Sequence, residues 1–245
     1  MKIVITGSRG FIGSYLVKTL QNENEIIEWD TKIDKDIKDF TLEPDTDFVV
    51  HLAGLISPRD SIKEPFKYWK YNVEYSKNLF NICKDIPMVY ASSAAVKEYW
   101  RSPYGITKKV LEELAHDLHV GLRFETIYGD GASDIGLISS IRNGNLKYCT
   151  NHIRDFIHID DIVDSIIFFI EHEELFKEHI QGSYRKRYYE IGTGQPHYVN
   201  DVVKHFGVSV PITAGDDIEL KSSVADIYEI NKIGWKSKRS IYDEK

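Results

Sequence analysis

The sequence predicts a doubly wound α/β fold, a parallel sheet covered by helices on both faces, followed by a smaller lobe. Three observations carry this expectation. The chain opens with a short apolar run, Ile3-Val4-Ile5, that breaks at a turn carrying Gly7, Gly10 and Gly13 and passes at once into a helical pattern (Phe11, Ile12, Tyr15, Leu16, Leu20). A second strand, Ile26-Ile27, ends in Glu28-Trp29-Asp30. Beyond it, short apolar runs alternate with helical patterns as far as Phe124, the arrangement of βαβ units.

The glycine turn organises the rest. Strand, glycine turn and helix is the geometry that aims backbone N–H groups and a helix N-terminus at a phosphate. Glycines there permit the tight turn, the approach of a pyrophosphate and close packing of helix on strand. The turn alone fits any glycine-bearing helix start. Asp30 adds the context, because it stands where a ribose-binding carboxylate is expected. Together they predict a dinucleotide-binding unit.

Length and charge bound the rest. The 245 residues suffice for one large or two modest domains. With 31 basic against 38 acidic residues the net charge is −7, which argues against nucleic acid as a main partner. Cys83 and Cys149 lack metal-ligand spacing, so neither a metal site nor a disulfide framework is expected. The chain enters a strand directly, without the pattern of a secretory leader, and no apolar run reaches membrane length. A cytoplasmic protein is the expectation.

In chain order, Thr31 to Asp47 is polar and holds Asp36-Ile37, where Asp36 is either an adenine contact or a solvated loop aspartate. Asp47 to Gly54 is a buried strand running through Leu52 into the small residues Ala53-Gly54, over which a ligand can lie. Pro58 to Pro65 reads as a loop and Phe66 to Cys83 as a helix. Met88 to Ala91 is a strand ending in Ser92-Ser93. A helix opens at Ser102-Pro103 and continues to Leu118, placing Tyr104 and Lys108 on one face. Val120 to Phe124 is a strand. Domain boundaries are expected accordingly: residues 1–128 as the dinucleotide-binding domain, with 152–173 packing back on it, and 129–245 mainly as a smaller lobe. In that lobe Leu137 to Ile141, Ile162 to Ile170 and Val199 to Phe206 are helical, Tyr189 to Gly194 is a strand and turn, and Glu171 to Arg187 is a charged surface. Gly234-Trp235 lies near a frayed C-terminus.

These residues, in this order, resemble the extended short-chain dehydrogenase/reductases, specifically the NAD-dependent epimerase/dehydratase group acting on nucleotide-sugars. The matching motifs are Thr6-Gly-x-x-Gly-Phe-Ile-Gly13, Asp30, Asp36-Ile37, His51-Leu-Ala53, Asn72-Val73, Ser92-Ser93, Tyr104-x-x-x-Lys108, Arg123-Phe-x-x-Ile-Tyr-Gly129, Arg154-Asp-Phe-Ile-His-x-Asp-Asp161, Tyr189-x-Ile-Gly-Thr-Gly194 and Gly234-Trp235. The resemblance implies a Rossmann-type sheet, a substrate-binding role for the smaller lobe over 129–245, and NAD bound by Gly7, Arg9, Gly10, Phe11, Ile12, Gly13, Asp30, Asp36, Ile37, Leu52, Ala53, Gly54, Asn72, Tyr104 and Lys108. It implies Tyr104 as acid/base, Lys108 as its electrostatic partner and Ser93 as the group orienting the reacting oxygen. Ser93, Thr126 and Arg154 then contact substrate, Arg154 at the sugar-nucleotide diphosphate; its alternative is an ion pair with Asp155 or Asp160. His158, Asp160 and Asp161 are read as shaping a turn and capping the next helix.

Elementary chemistry agrees. A free tyrosine, with a pKa of about 10, is a poor base at neutral pH. A nearby cation favours the phenolate, and an oxidised nicotinamide adds another positive charge.

The chain departs from the family pattern at several places. Ser93 and Tyr104 are separated by a short segment, Lys97-Glu98 replaces a Tyr-Gly, Thr126 stands for an asparagine, and the second phosphate arginine is replaced by the region of Gly215-Asp216-Asp217, with Lys221 the nearest cation. A smaller or less charged substrate is therefore open. Asp30 favours NAD; Arg9 and Lys32 argue for NADP. After Ser93 come Ala94-Ala95, where family dehydratases carry an Asp-Glu pair and decarboxylating relatives a glutamate. Alanines transfer no protons, which leaves epimerisation, with C4 the favoured position, or simple redox. The alternatives are a keto-sugar or small-carbonyl reductase and a non-catalytic nucleotide-binding relative. A homodimer is expected through helices 66–83 and 103–118, which carry Trp69, Leu79, Phe80, Val110, Leu111 and Leu114.

Overall fold

The computed structural model describes residues 1–132, 136–176 and 187–244. The chain divides into two compact units, Met1–Arg123 with Ile166–Tyr189, and Phe124–Ser165 with Glu190–Lys245.

In the first unit lie β1 (Lys2–Thr6), β2 (Glu25–Trp29), β3 (Phe48–His51), β4 (Met88–Ser93) and β5 (His119–Phe124). With a sixth strand, Tyr188–Ile191, they form one sheet in the order sixth strand, β5, β4, β3, β1, β2. Ile3 pairs in parallel with Ile26 on one side and Phe48 on the other, and Val49 with Met88. Ile3, Val4, Ile5, Phe48, Val49 and Val50 are fully buried, as parallel strands covered on both faces must be. The chain leaves β1 for β2 on one side and returns to β3 on the other. The strand order therefore reverses beside β1, and its C-terminal end is where ligands of such sheets bind.

Helix α1 (Phe11–Leu20) follows the glycine turn. The polar stretch after Asp30 forms two single 3₁₀ turns, Thr31–Ile33 and Ile37–Asp39, in which Asp30 accepts from Lys32 N and Asp36 from Lys38 N. Phe40 packs on Trp29 at 5.0 Å. The expected loop from Pro58 to Pro65 is instead largely helical, α2 (Pro58–Lys63): Ser57 Oγ accepts from Asp60 N, and Pro58 sits in the first turn, where its missing N–H costs nothing. The expected helix from Phe66 to Cys83 is α3 (Pro65–Trp69) and α4 (Ser76–Ile82), joined by a π-helical turn over Lys70–Tyr75. Helix α5 (Pro103–Leu114) stops short of the expected Leu118, because Ala115 turns extended and the Leu118 carbonyl accepts from Met88 N of β4.

Leu79, Phe80 and Leu111 join Val4, Val49, Met88 and Tyr90 in the core of this unit. They are thus not the surplus apolar surface expected for a partner; of that set only Trp69 is exposed, and Phe66 beside it is 87% exposed. Within the expected charged surface from Glu171 to Arg187, Leu175 and Phe176 are buried, Phe176 against Phe48 at 5.4 Å; residues 177–186 lie outside the described residues.

The second unit is built from short pairings. Thr126–Tyr128 runs parallel to Phe156–His158, and Ile153–Arg154 lies between His197–Tyr198 and Ser222–Ser223. Its core gathers Tyr128, Ile138, Phe156, Val202 and Ile241. Asp155 is fully buried, and its carboxylate accepts from Thr193 N, Thr193 Oγ1, Gly194 N and Ala225 N. The C-terminal segment, expected to fray, is tied down: Trp235 is buried and donates to Asp164, and Lys238 N and Arg239 N donate to Asp161. Among the described residues no helix is long and apolar enough to cross a membrane, and no cluster of metal-ligating side chains occurs.

Candidate active site

The glycine turn closes on the switch point. Gly7 has φ +70°, and a Cβ there would lie 2.7 Å from Ala53 N of the neighbouring strand end. A Cβ on Gly13 would stand 2.1 Å from Gly7 O. Both positions exclude any side chain, so α1 starts against the turn itself. No side chain caps α1 and its first turn holds no acidic residue, which leaves the positive end of its dipole to a ligand. Ser8 Oγ is buried in this turn without a hydrogen-bond partner. Asp30, at the end of β2, accepts from Arg9 N and Lys32 N, both at 2.9 Å. A cradle that a Cβ would fill, an uncapped helix start and a strand-end carboxylate fit a dinucleotide.

Thr6, His51 and Ser76 hold the adjoining strand ends together. The Thr6 hydroxyl lies 2.7 Å from His51 Nδ1 and accepts from Ala53 N, and Ser76 lies 2.9 Å from His51 Nε2. Burial, with the Lys108 and His119 charges, pulls the His51 pKa down to about 3, so the ring is neutral.

Asn72 sits in the π turn. Its amide accepts from Leu55 N at 2.8 Å and donates to Leu55 O at 2.9 Å and to Thr107 Oγ1 at 3.3 Å, pinning the strand-end loop to α5. A Cβ on Gly54 would lie 3.1 Å from Asn72 Oδ1 and 3.9 Å from Lys108 Nζ, so these three converge. Inserted π turns are frequent at functional sites because the extra residue re-aims side chains.

Ser93 ends β4 and accepts from Ala95 N at 3.2 Å. Helix α5 begins one segment later, with Ser102 accepting from Gly105 N at 3.1 Å and Pro103 in its first turn. This start presents Tyr104, whose N donates to Ser61 Oγ at 3.1 Å and whose phenol feels the Ser93 side chain. Lys108, one turn on, donates from Nζ to Ala91 O at 2.7 Å and stands 5.9 Å from the Tyr104 ring. Both are buried. Burial pushes the phenol above the ordinary tyrosine value, Ser93 pulls it back, and Tyr68 adds to the rise. Burial brings Lys108 down to about 8, against the pull of Glu112. The sequence leads one to expect a phenol lowered by Lys108; burial instead holds it above the ordinary value.

Two residues behind the pair were not anticipated. Glu112 accepts from Arg123 through both oxygens and from Ser92 Oγ at 2.6 Å. Ser61 anchors Tyr104 from a stretch read as loop. The one available signal for Glu112 is its spacing of four from Lys108.

The second unit holds Thr126 and Arg154. Thr126 N donates to Asp155 O at 3.0 Å, and its side chain is half-buried. Arg154 donates to Ile153 O at 2.9 Å, and its guanidinium lies 3.4 Å from His152 Nδ1 and 3.7 Å from Glu219. Asp155 serves Thr193, Gly194 and Ala225 instead, and Asp160 pairs with Arg239. His158 Nδ1 accepts from Asp160 N, closing the turn before the helix Ile159–Glu171.

The model of the NAD dependent epimerase/dehydratase family matches residues 3–182. The chain is 29% identical to the ADP-L-glycero-D-manno-heptose-6-epimerase of Cupriavidus pinatubonensis, over 82% of this chain and 76% of that one. It is 25% identical to the UDP-glucose 4-epimerase of Pisum sativum, over 98% of this chain and 92% of that one. Among solved structures, MoeE5 in complex with UDP-glucuronic acid and NAD matches with a TM-score of 0.84 at 25% identity, covering 99% of this chain and 95% of that chain. The sheet order, its switch point and the glycine turn define a dinucleotide-dependent α/β enzyme. Matched over nearly three quarters of its length, the chain belongs to the NAD dependent epimerase/dehydratase family, and its cofactor is NAD.

Proposed function

We propose that this enzyme is a nucleotide-sugar epimerase that inverts a ring carbon, C4, by transient oxidation to a keto-sugar. The observation that carries the reading is the placing of Tyr104 and Lys108, both buried, one helical turn apart on α5, with the Lys108 ammonium 5.9 Å from the Tyr104 ring and Ser93 at the end of β4 acting on the phenol. NAD, when bound, supplies a hydride acceptor that becomes the hydride donor for the return step. Tyr104 takes the proton of the sugar hydroxyl and later gives it back to the new alkoxide. Ser93 holds that oxygen within reach of the phenol. Lys108, fixed on Ala91 O, keeps a positive charge beside the phenol.

The supporting groups follow from their positions. Gly7, Arg9, Gly10, Phe11, Ile12 and Gly13 form the pyrophosphate turn, and Asp30 bonds the adenosine ribose. Asp36 and Ile37 border the adenine. Leu52, Ala53, Gly54 and Asn72 line the strand end, with Asn72 positioning Lys108 through Thr107 and Gly54. Arg154 forks the substrate's diphosphate and Thr126 contacts the substrate. Ala94 and Ala95 have no proton to move, which favours epimerisation over elimination. The pea relative, named a 4-epimerase and aligned along almost the whole chain, supports C4. Buried free thiols at Cys83 and Cys149 suit a cytoplasmic enzyme.

The test is incubation with a panel of UDP- and ADP-sugars, following product stereochemistry by NMR and reduced nicotinamide by absorbance. Epimeric mixtures without net absorbance change are expected. Stoichiometric consumption of reduced cofactor by a carbonyl compound overturns the epimerase in favour of a reductase.

A further inference from the structure

Two cations, Arg9 and Lys32, stand beside Asp30, and this chemistry invites a 2′-phosphate. The structure shows what each is doing. The Lys32 ammonium donates to Arg9 O at 2.9 Å. The Arg9 guanidinium is drawn to Glu28, Nη2 to Oε1 at 2.7 Å, while Arg9 N donates to Asp30. Glu28 therefore takes hold of the Arg9 guanidinium at the ribose edge, while the Lys32 ammonium is held by a backbone carbonyl.

As a stability device this pair is a poor one. Arg9 is half-exposed, and exposed ion pairs contribute little. The other Glu28 oxygen, Oε2, is buried with no hydrogen-bond partner, a cost the pair does not recover at that atom. A carboxylate placed at such a cost, two residues before the ribose carboxylate and on the arginine nearest to it, fits selectivity better than support.

We propose that Glu28 is a cofactor-selectivity residue: by restraining Arg9 it keeps the guanidinium off the ribose edge, so that NAD is accepted and the 2′-phosphate of NADP meets two carboxylates rather than an arginine fork. The proposal rests on the reading of the glycine turn as the dinucleotide site. Removing the Glu28 charge leaves Arg9 able to turn to a dianionic phosphate on the ribose.

The experiment is calorimetric titration of NAD and of NADP into wild type, Glu28→Gln, Arg9→Met and the double variant, with circular dichroism to confirm the fold. In Glu28→Gln the ratio of NADP to NAD dissociation constants is expected to fall about tenfold, the scale of one charge acting on a phosphate at a partly solvated surface. In the double variant the ratio is expected to return to that of wild type, and Arg9→Met alone is expected to move it less than twofold. A ratio unchanged in Glu28→Gln overturns the proposal, as does Arg9→Met alone weakening NADP fivefold or more, a measurement that does not depend on the Glu28 variant folding. Wild type failing to bind either dinucleotide overturns the site assignment itself and this proposal with it, a result distinct from an unchanged ratio.

Discussion

Glu112 and Arg123 meet in a buried two-pronged ion pair, Nε to Oε1 and Nη2 to Oε2 both at 2.7 Å, directly behind the Tyr104–Lys108 helix face. The pair joins α5 to β5, and Ser92 fixes it to β4, so three elements meet at one carboxylate. Breaking such a pair from one side leaves a buried charge unmatched and costs about 3–5 kcal/mol. Glu112→Ala is expected to lose stability of that size in urea unfolding. Since Glu112 also supports the Lys108 charge, the lysine should titrate still lower in the variant. A loss under about 1 kcal/mol would mean that water or a neighbour already screens Arg123.

Acid sensitivity is the second expectation. His51, at about 3, and His119, at about 4, are both depressed by burial from an ordinary 6.5. Below pH 6.5 the unfolded chain binds protons that the native rings refuse. Stability is therefore complete above that value and falls as pH drops towards about 4, with up to roughly 1.4 kcal/mol per pH unit for each histidine. Urea midpoints measured from pH 7 to pH 4 should decline. In His51→Gln the decline should be shallower, and an equal slope in the variant would remove His51 from the account.

Much of this was legible in the sequence, and for identifiable reasons. Gly7 and Gly13 mark positions where a Cβ has no room, so the residue type itself reports the turn. Burial of β1 and β3 on both faces shows as unbroken apolar runs. Tyr104 and Lys108 share a face through simple helical spacing. What escaped depends on contacts distant in sequence. The α2 helix hides behind Pro58, although Ser57-Pro58-x-Asp60 is a capped helix start. Leu118 continues the apolar period of α5, yet pairing with Met88 pulls it out of the helix. The π turn leaves the apolar spacing of its helix unmarked. Glu28 and Arg9 are 19 residues apart, and only the register of β2 beside the turn brings them together.

The third expectation concerns self-association. With Leu79, Phe80 and Leu111 committed to the core, the apolar surface left on these helices includes Phe66, Trp69, Ile82 and Ile106 with half-buried Val110 and Leu114. We expect a dimer in light scattering at micromolar concentration, and Phe66→Glu with Trp69→Glu to return a folded monomer. A wild-type monomer at that concentration would remove the expectation.

The last prediction concerns Tyr104. Tyr104→Phe deletes one hydroxyl and keeps the ring against Tyr68, which it meets edge-on at 6.4 Å, so the fold should survive. If the phenol is the proton carrier, turnover should fall by about 10²- to 10⁴-fold, the usual worth of positioned acid–base catalysis, with NAD affinity nearly unchanged. The pH dependence makes the assignment sharper. Burial holds the phenol above its ordinary value, so ultraviolet difference titration without added NAD should place Tyr104 at the alkaline end, the signal that disappears in the Phe variant. Lys108, at about 8, loses its charge as pH rises through that value, so the support it gives the phenolate is present below pH 8 and fades above it. Addition of oxidised NAD brings a second positive charge to the site, and the phenol should then titrate below its ligand-free value. Lys108→Met should raise the ionisation measured with NAD and weaken NAD itself. Near-normal turnover in Tyr104→Phe on a confirmed substrate would require a different base.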